Sequence, residues 1–192
     1  MKLSQKNIRK QKRIERKNLS VDDKRKKSRQ ISEQVIHSSV YQQAQYIGTY
    51  LSMPEEVNVK AIIEAAWEDG KHIYLPVVTG WDKPLLFAPY TPASILIKDA
   101  LDIEIPDIDK THYLPAEQLD LVITPLVAFD EKCNRVGMGG GFYDRTFAFK
   151  ADRSGKPVLL GVAFEIQRVD DAIEANQWDI CPDNIISEIR TY

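Results

Sequence analysis

Apolar and polar positions along the chain change period several times, and the changes predict alternating helices and strands. Residues 4–18 are polar and basic, with Ile8 and Ile14 as the branched apolar positions and Ser4 placed to cap a helix. After a break, a second helix is predicted from Ser20, which has capping-box spacing to Asp23, with Ile31, Val35 and Ile36 forming its apolar edge. Residues 45–51 alternate and are rich in aromatic and branched side chains, the pattern of a strand, which Ser52-Met53-Pro54 stops. A helix over 59–69 follows, with Asn58 in position to cap it and Gly70 to end it. Strands are predicted at 72–78 and 84–89. Between 91 and 118 only a short apolar piece at 95–101 stands out, among turns marked by Pro92, Pro106 and Pro115. The apolar run at 119–124 predicts a buried strand, 142–149 a helix, 157–164 a strand, and 185–189 the last strand. This alternation predicts one three-layer α/β domain over residues 1–192, with a mainly parallel sheet and the basic helices of residues 1–40 packed at one side. The strand order stays open.

Composition agrees with one domain: 192 residues and 43% hydrophobic content are enough for a substantial core. No run approaches the roughly 20 apolar residues of a membrane span, and the basic N-terminus lacks the apolar centre of a secretory signal. A mitochondrial presequence stays formally open, though Glu15 fits it poorly. Two cysteines, Cys133 and Cys181, make no disulfide framework, and three scattered histidines make no transition-metal site. A reduced, cytoplasmic setting is therefore expected. The net charge of −2 conceals an asymmetry: residues 1–29 carry +10 and the remainder −12. A basic arm of this kind can bind nucleic acid, attract a small polyanion, or form the solvated face of a helix.

The most distinctive chemistry lies in Arg135-Val136-Gly137-Met138-Gly139-Gly140-Gly141-Phe142-Tyr143-Asp144-Arg145, which holds four of the chain's nine glycines. Glycine has no Cβ, so backbone N–H groups can approach an anion closely, and a helix starting at Phe142 would point its positive end at the same place. Arg135 and Arg145 supply forked donors that match phosphate oxygens, and Asp144 supplies the hard oxygen that Mg2+ prefers beside a nucleotide. The structural alternative is a tight turn with solvated arginines, in which Asp144 favours the helix start. Two familiar phosphate motifs are excluded. No lysine and hydroxyl follow Gly140 or Gly141, as a P-loop requires, and Phe142 stands where the dinucleotide fingerprint needs a small residue.

Thr124-Pro125-Leu126-Val127-Ala128-Phe129-Asp130, Asn134-Arg135-Val136-Gly137 and Gly139-Gly140-Gly141-Phe142-Tyr143-Asp144-Arg145 together resemble the signature of the 5-formyltetrahydrofolate cyclo-ligase family. Leu126 and Cys133 stand where the family usually has glycine, and Phe142 where it often has tyrosine. The resemblance implies a Rossmann-like fold. It also implies that Gln5, Lys6 and Arg9, within Gln5-Lys6-Asn7-Ile8-Arg9-Lys10, reach the nucleotide phosphates. The family's lysine falls at the Gln5 position, one residue before Lys6. Tyr50-Leu51-Ser52-Met53-Pro54-Glu55-Glu56-Val57-Asn58 resembles the folate-binding segment, which implies folate contacts for Met53, Glu56 and Asn58. Core filling for Met53 and helix capping for Asn58 are the alternatives. Asn176-Gln177-Trp178-Asp179-Ile180-Cys181-Pro182 resembles a segment whose aspartate joins the metal site, which makes Asp179 the second carboxylate.

The reaction implied is ATP-dependent closure of 5-formyltetrahydrofolate, with or without a polyglutamate tail, to 5,10-methenyltetrahydrofolate, with release of ADP and phosphate. The resemblance implies ATP and Mg2+ as cofactors. Arg135, Tyr143 and Arg145 are then the expected catalytic residues. Arg135, Gly137, Met138, Gly139, Gly140, Gly141, Phe142 and Tyr143 are expected at the nucleotide, Phe142 and Tyr143 also at the folate, and Asp144 and Asp179 at the metal. A monomer with no nucleic-acid or membrane partner is expected. The competing readings are a nucleic-acid-binding module that uses the basic arm and a small-molecule kinase that uses the same cradle.

Overall fold

A computed structural model describes residues 4–99, 101–151 and 155–192. Helix α1 (Gln5–Lys17) follows Ser4, which holds the N-cap position without a side-chain capping bond. Helix α2 (Val21–His37) starts where its capping box predicts, with Ser20 Oγ accepting from the Asp23 N–H at 3.0 Å. A short helix α3 (Ser39–Gln43) leads to strand β1 (Tyr46–Gly48). Helix α4 (Lys60–Glu68) ends next to Gly70, whose φ of 70° lets the chain turn back into strand β2 (His72–Val77). Strand β3 (Leu86–Tyr90) comes next. The stretch at 91–118 forms a hairpin of β4 (Leu96–Lys98) and β5 (Glu104–Pro106), then a two-residue edge strand, β6 (Leu114–Pro115). Within the apolar piece at 95–101, Ala100 lies outside the described residues.

Strand β7 (Leu121–Pro125) runs into a small antiparallel ribbon, β8 (Ala128–Phe129) and β9 (Arg135–Val136), for which the sequence pattern carries no signal. Helix α5 (Phe142–Thr146) is shorter than the predicted 142–149. Phe147 leaves helical geometry at φ −107° and is fully buried, so the chain tightens into a 3-10 turn that delivers this ring to the core. Strands β10 (Val158–Val162) and β11 (Asn184–Ile186) complete the fold.

The seven-stranded sheet has the order β11-β10-β7-β1-β2-β3-β6. Strands β11, β10, β7, β1 and β2 are mutually parallel, β3 runs antiparallel to β2, and β6 runs antiparallel to β3. The connection from β2 to β3 is too short for the crossover of about a dozen or more residues that a parallel pair needs, so β3 folds back beside β2. One face packs Ile47, Ile73, Leu121 and Ile123 against Ile31 and Val35 of α2 and Ile62 and Ala66 of α4. The other packs Tyr74, Phe87 and Val122 against Phe147, Leu119 and Ile180.

The two N-terminal helices take different places. Helix α2 belongs to the layer on the sheet face, whereas α1 lies across the β8–β9 ribbon through Ile8, which packs with Ala128 and Val136. From β1 the order runs to one side through β2 and β3, and from β7 to the other through β10 and β11. A crevice therefore opens beyond the carboxyl ends of β1 and β7, the place where such sheets bind ligands.

Candidate active site

A cavity of about 690 Å³ opens at this switch point. The loop after β1 contributes Glu56, the end of β7 and the loop after it contribute Pro125, Leu126 and Val127, and α1 contributes Gln5 and Arg9. The glycine segment, α5 and residues 176–180 close the remaining sides. Gly139 and Gly141 have φ of 102° and 65°, conformations that glycine adopts without the steric penalty of a Cβ. Arg9 Nε donates to the Gly137 carbonyl at 2.7 Å, and its guanidinium carbon lies 3.6 Å from the point where a Cβ on Gly139 would sit. Arg145 Nη2 donates to the carbonyls of Gly140 and Trp81, both at 2.8 Å, while its guanidinium covers the Phe142 ring at 4.9 Å. Arg145 thus braces the cradle and joins it to the loop at Trp81. Because α5 has only five residues, its macrodipole is small. The positive field here comes from guanidinium groups.

Both candidate metal carboxylates line the cavity, each tied down through one oxygen. Asp144 Oδ1 accepts from Arg135 Nη2 at 2.8 Å and from the Ile180 N–H at 3.1 Å. Asp179 Oδ2 accepts from the Asn176 N–H at 2.9 Å and from Gln5 Nε2 at 3.0 Å. Among the described residues, no group of three or more His, Cys, Asp or Glu forms an all-protein cation cage.

Glu56 also lines the cavity; it is 9% exposed and accepts from the Met53 N–H at 3.1 Å through Oε2. Burial raises its pKa above the usual glutamate range. The Met53 N–H and the Arg16 guanidinium oppose that rise, and Glu55 adds to it. Burial and then the charge on Glu56 push the Tyr143 hydroxyl well above its usual pKa, with Arg135 pulling the other way. Tyr143 is therefore a protonated donor at neutral pH.

The family model for 5-formyltetrahydrofolate cyclo-ligases matches residues 1–188. The chain belongs to the 5-formyltetrahydrofolate cyclo-ligase family. It is 36% identical over 166 residues to the 5-formyltetrahydrofolate cyclo-ligase of Haemophilus influenzae, covering 86% of this chain and 87% of that one. With the enzyme of the same name from Escherichia coli it shares 41% identity over 138 residues, 71% of this chain and 74% of the relative. The solved structure of Aquifex aeolicus 5,10-methenyltetrahydrofolate synthetase superposes with a TM-score of 0.82 at 24% identity, covering 97% of this chain and 91% of that one. At that identity the superposition speaks for the fold alone.

The cyclo-ligase signature is gathered into one place. Arg135, Gly137 to Gly141, Phe142, Tyr143, Asp144 and Arg145 line the cavity together with Gln5, Arg9, Glu56 and Asp179. Lys6 is exposed and outside the lining. Gln5 and Arg9 are four residues apart and share a helix face, from which Lys6 is turned by about 100°. Met53 is half exposed and also outside the lining, and its backbone rather than its thioether contacts Glu56. Asn58 Oδ1 accepts from the Lys60 N–H at 2.9 Å, and the residue faces a separate groove with Trp67 and Tyr90. That bond is an Asx turn one residue before the cap: Val59, not Asn58, holds the N-cap position of α4, and it does so without a side-chain capping bond.

Three residues near the site carry no signal in the local sequence. Trp178 lines the cavity although it is largely exposed, and Trp81 packs beside Phe142 at 5.8 Å between ring centroids. Arg16 is buried behind Glu56, hidden in sequence within a run of basic residues.

Proposed function

We propose that this chain catalyses ATP-dependent closure of 5-formyltetrahydrofolate to 5,10-methenyltetrahydrofolate, with release of ADP and phosphate. The observation that carries this reading is that a glycine cradle flanked by Arg9 and Arg135 and a wall built around Glu56 and Tyr143 open into one cavity. A γ-phosphate held by the first can there meet a formyl oxygen held by the second.

The chemistry explains why both are needed. Ring closure must expel the formyl oxygen, and as oxide or hydroxide that oxygen leaves poorly. It attacks the γ-phosphorus, the bond from that phosphorus to the bridging oxygen breaks, and ADP departs. The amine at position ten of the folate then adds to the carbon of the iminophosphate and loses its proton, and the carbon–oxygen bond breaks to release phosphate. Positioning and charge neutralisation do most of this work, because in-line phosphoryl transfer asks little covalent chemistry of the protein.

In this reading Arg9, Arg135 and the backbone of residues 137–141 bind the phosphates, with Gln5 contributing from α1. Met138 lines the same cradle. Arg145 holds the loop in shape from the side of Trp81. Phe142 and Tyr143 separate and orient the nucleotide and the folate, and Glu56 accepts from the donor edge of the folate. Met53 borders this wall at the rim. Asp144 and Asp179 would hold Mg2+, since each has one oxygen without a hydrogen bond among the described residues, and Mg2+ takes one or two carboxylates and completes its shell with water and phosphate oxygens. When bound, Mg2+ would neutralise charge on the phosphate oxygens during transfer. No helix among the described residues is long and apolar enough to cross a membrane. A cytoplasmic monomer acting on folates with or without polyglutamate tails completes the reading.

Incubation of the chain with ATP, Mg2+ and 5-formyltetrahydrofolate tests it. The absorbance of the methenyl product should appear one-for-one with ADP. A stable phosphoester of the acceptor would instead identify a small-molecule kinase, and no nucleotide consumption at all would overturn both.

A further inference from the structure

Helix α1 carries a second inward-facing arginine whose surroundings do not match the rest of the basic arm. Arg16 is 1% exposed, its Nη1 donates to the Leu126 carbonyl at 3.3 Å, and its Nε and Nη2 have no hydrogen-bond partner among the described residues. The nearest carboxylate oxygens are Glu56 Oε1, 3.9 Å from Nη1, and Glu55 Oε1, 3.7 Å from Nη2. A guanidinium cannot lose its charge, and a buried charge is strongly disfavoured unless it is compensated. This one is compensated by two acids at ion-pair distance and not by close hydrogen bonds. Glu56 therefore keeps Oε2 for the Met53 N–H while it sits in the field of Arg16. Arg16 also lies seven residues, about two turns or roughly 10 Å, along the same helix face from Arg9, whose Nε holds the Gly137 carbonyl of the cradle.

We propose that Arg16 is a positioning residue for the folate side of the site: it holds Glu56 ionised and in place at the cavity wall, and it ties that wall to the helix that carries Arg9. This rests on the reading in which Glu56 binds folate. The charged and titratable groups facing Glu56 are Arg16 from α1, Glu55 from its own loop, Tyr50 from beyond β1 and Tyr143 from α5, with Arg135 near Tyr143. Glu55 disfavours the carboxylate, as burial does, and Tyr50 and Tyr143 are neutral at working pH. Arg16 is the cation in that set that contacts Glu56 at ion-pair distance. Its removal should let Glu56 pick up a proton at higher pH.

The test is the pH profile of kcat/KM for 5-formyltetrahydrofolate in three variants. Arg16→Gln keeps a donor for the Leu126 carbonyl but loses the charge, and its acid limb should move up by about 1 pH unit, at the lower end of what an opposite charge at this range does to a carboxylate. At a pH above the limb, kcat at saturating folate should stay within about twofold of wild type. Glu55→Gln should move the limb the other way, because it removes the acid that opposes ionisation. Glu56→Gln should abolish the limb and raise KM for folate throughout. If Glu56→Gln leaves that KM unchanged, the folate role of Glu56 fails whatever Arg16 does. If Glu56→Gln behaves as expected but the limb stays at its wild-type pH in Arg16→Gln and Glu55→Gln, Arg16 is only structural and the proposal is overturned. Should Arg16→Gln fail to fold, Arg16→Met, which fills the space of the stem without the charge, takes its place: a limb shifted up supports the proposal and an unmoved limb overturns it.

Discussion

The cradle at residues 137–141 and Glu56, from the loop after β1, line the same cavity, yet the one is made largely of backbone and guanidinium groups and the other is a single buried carboxylate. The difference follows from ionisation. Arginine keeps its charge in almost any surroundings, so Arg9 and Arg135 can be half buried against carbonyls and an acid and still offer a positive field. A carboxylate in a dry wall drifts toward neutrality, and the drift is limited only by what lies around it. Glu56 has one backbone N–H and one arginine for that purpose, against its own burial and Glu55. Arg9 and Arg135 should therefore keep their charge as the pH changes, whereas the charge on Glu56 should depend on it.

The largest effect should come from Asp144→Asn. It removes an oriented charge where phosphoryl transfer needs it, which amounts to about 3 kcal/mol of transition-state stabilisation or roughly 100-fold in kcat. The amide oxygen can still accept from the Ile180 N–H and from Arg135, so the variant should fold, with a thermal midpoint lowered by the lost charge pair, while the Mg2+ needed for half-maximal rate rises. Calorimetry and a metal titration check both.

Arg9→Gln and Glu56→Gln should separate the two walls. Loss of a charge-assisted contact is worth about 1.5–3 kcal/mol, so Arg9→Gln should raise KM for ATP by about 10- to 100-fold and leave KM for folate nearly unchanged. Glu56→Gln should do the reverse. If Arg9→Gln raises both constants equally, the division between the walls is false.

The comparison can also be sharpened by pH. The Glu56 pKa is raised by burial, so its ionised form is lost as pH falls through a value above 4.5, the ordinary glutamate figure. The kcat/KM for folate should fall along that limb in the wild type, and the limb should be missing in Glu56→Gln. The smallest effect belongs to Lys6→Ala. Lys6 is exposed and outside the lining, so both constants should stay within about twofold of wild type, as for a solvated charge.

Much of the cradle was legible because its determinants are local. Gly139 and Gly141 are glycines where the chain takes positive φ, and the Ser20 and Asp23 spacing marked the start of α2. Strands β7 and β10 stood out as apolar runs. The β8–β9 ribbon did not, because two residues per strand are too few to show a period of two. Arg16 was invisible for another reason. In a run with so many lysines and arginines every position looks solvated, and only the phase of α1 against the ribbon and the β7 loop turns Arg9 and Arg16 inward while Lys6 faces out.

The sequence by itself determined the alternation of helices and strands, the cradle and its flanking charges, and the family, since these depend on neighbours within a few residues or on a contiguous signature. Only the tertiary structure decided the strand order that opens the crevice, the meeting of Arg9 with Gly137 across 128 residues and of Arg16 with Leu126 across 110, and the burial that sets the state of Glu56. Those follow from the packing of distant segments around a shared core, and the electrostatic environment of a side chain does not exist until that packing has excluded water.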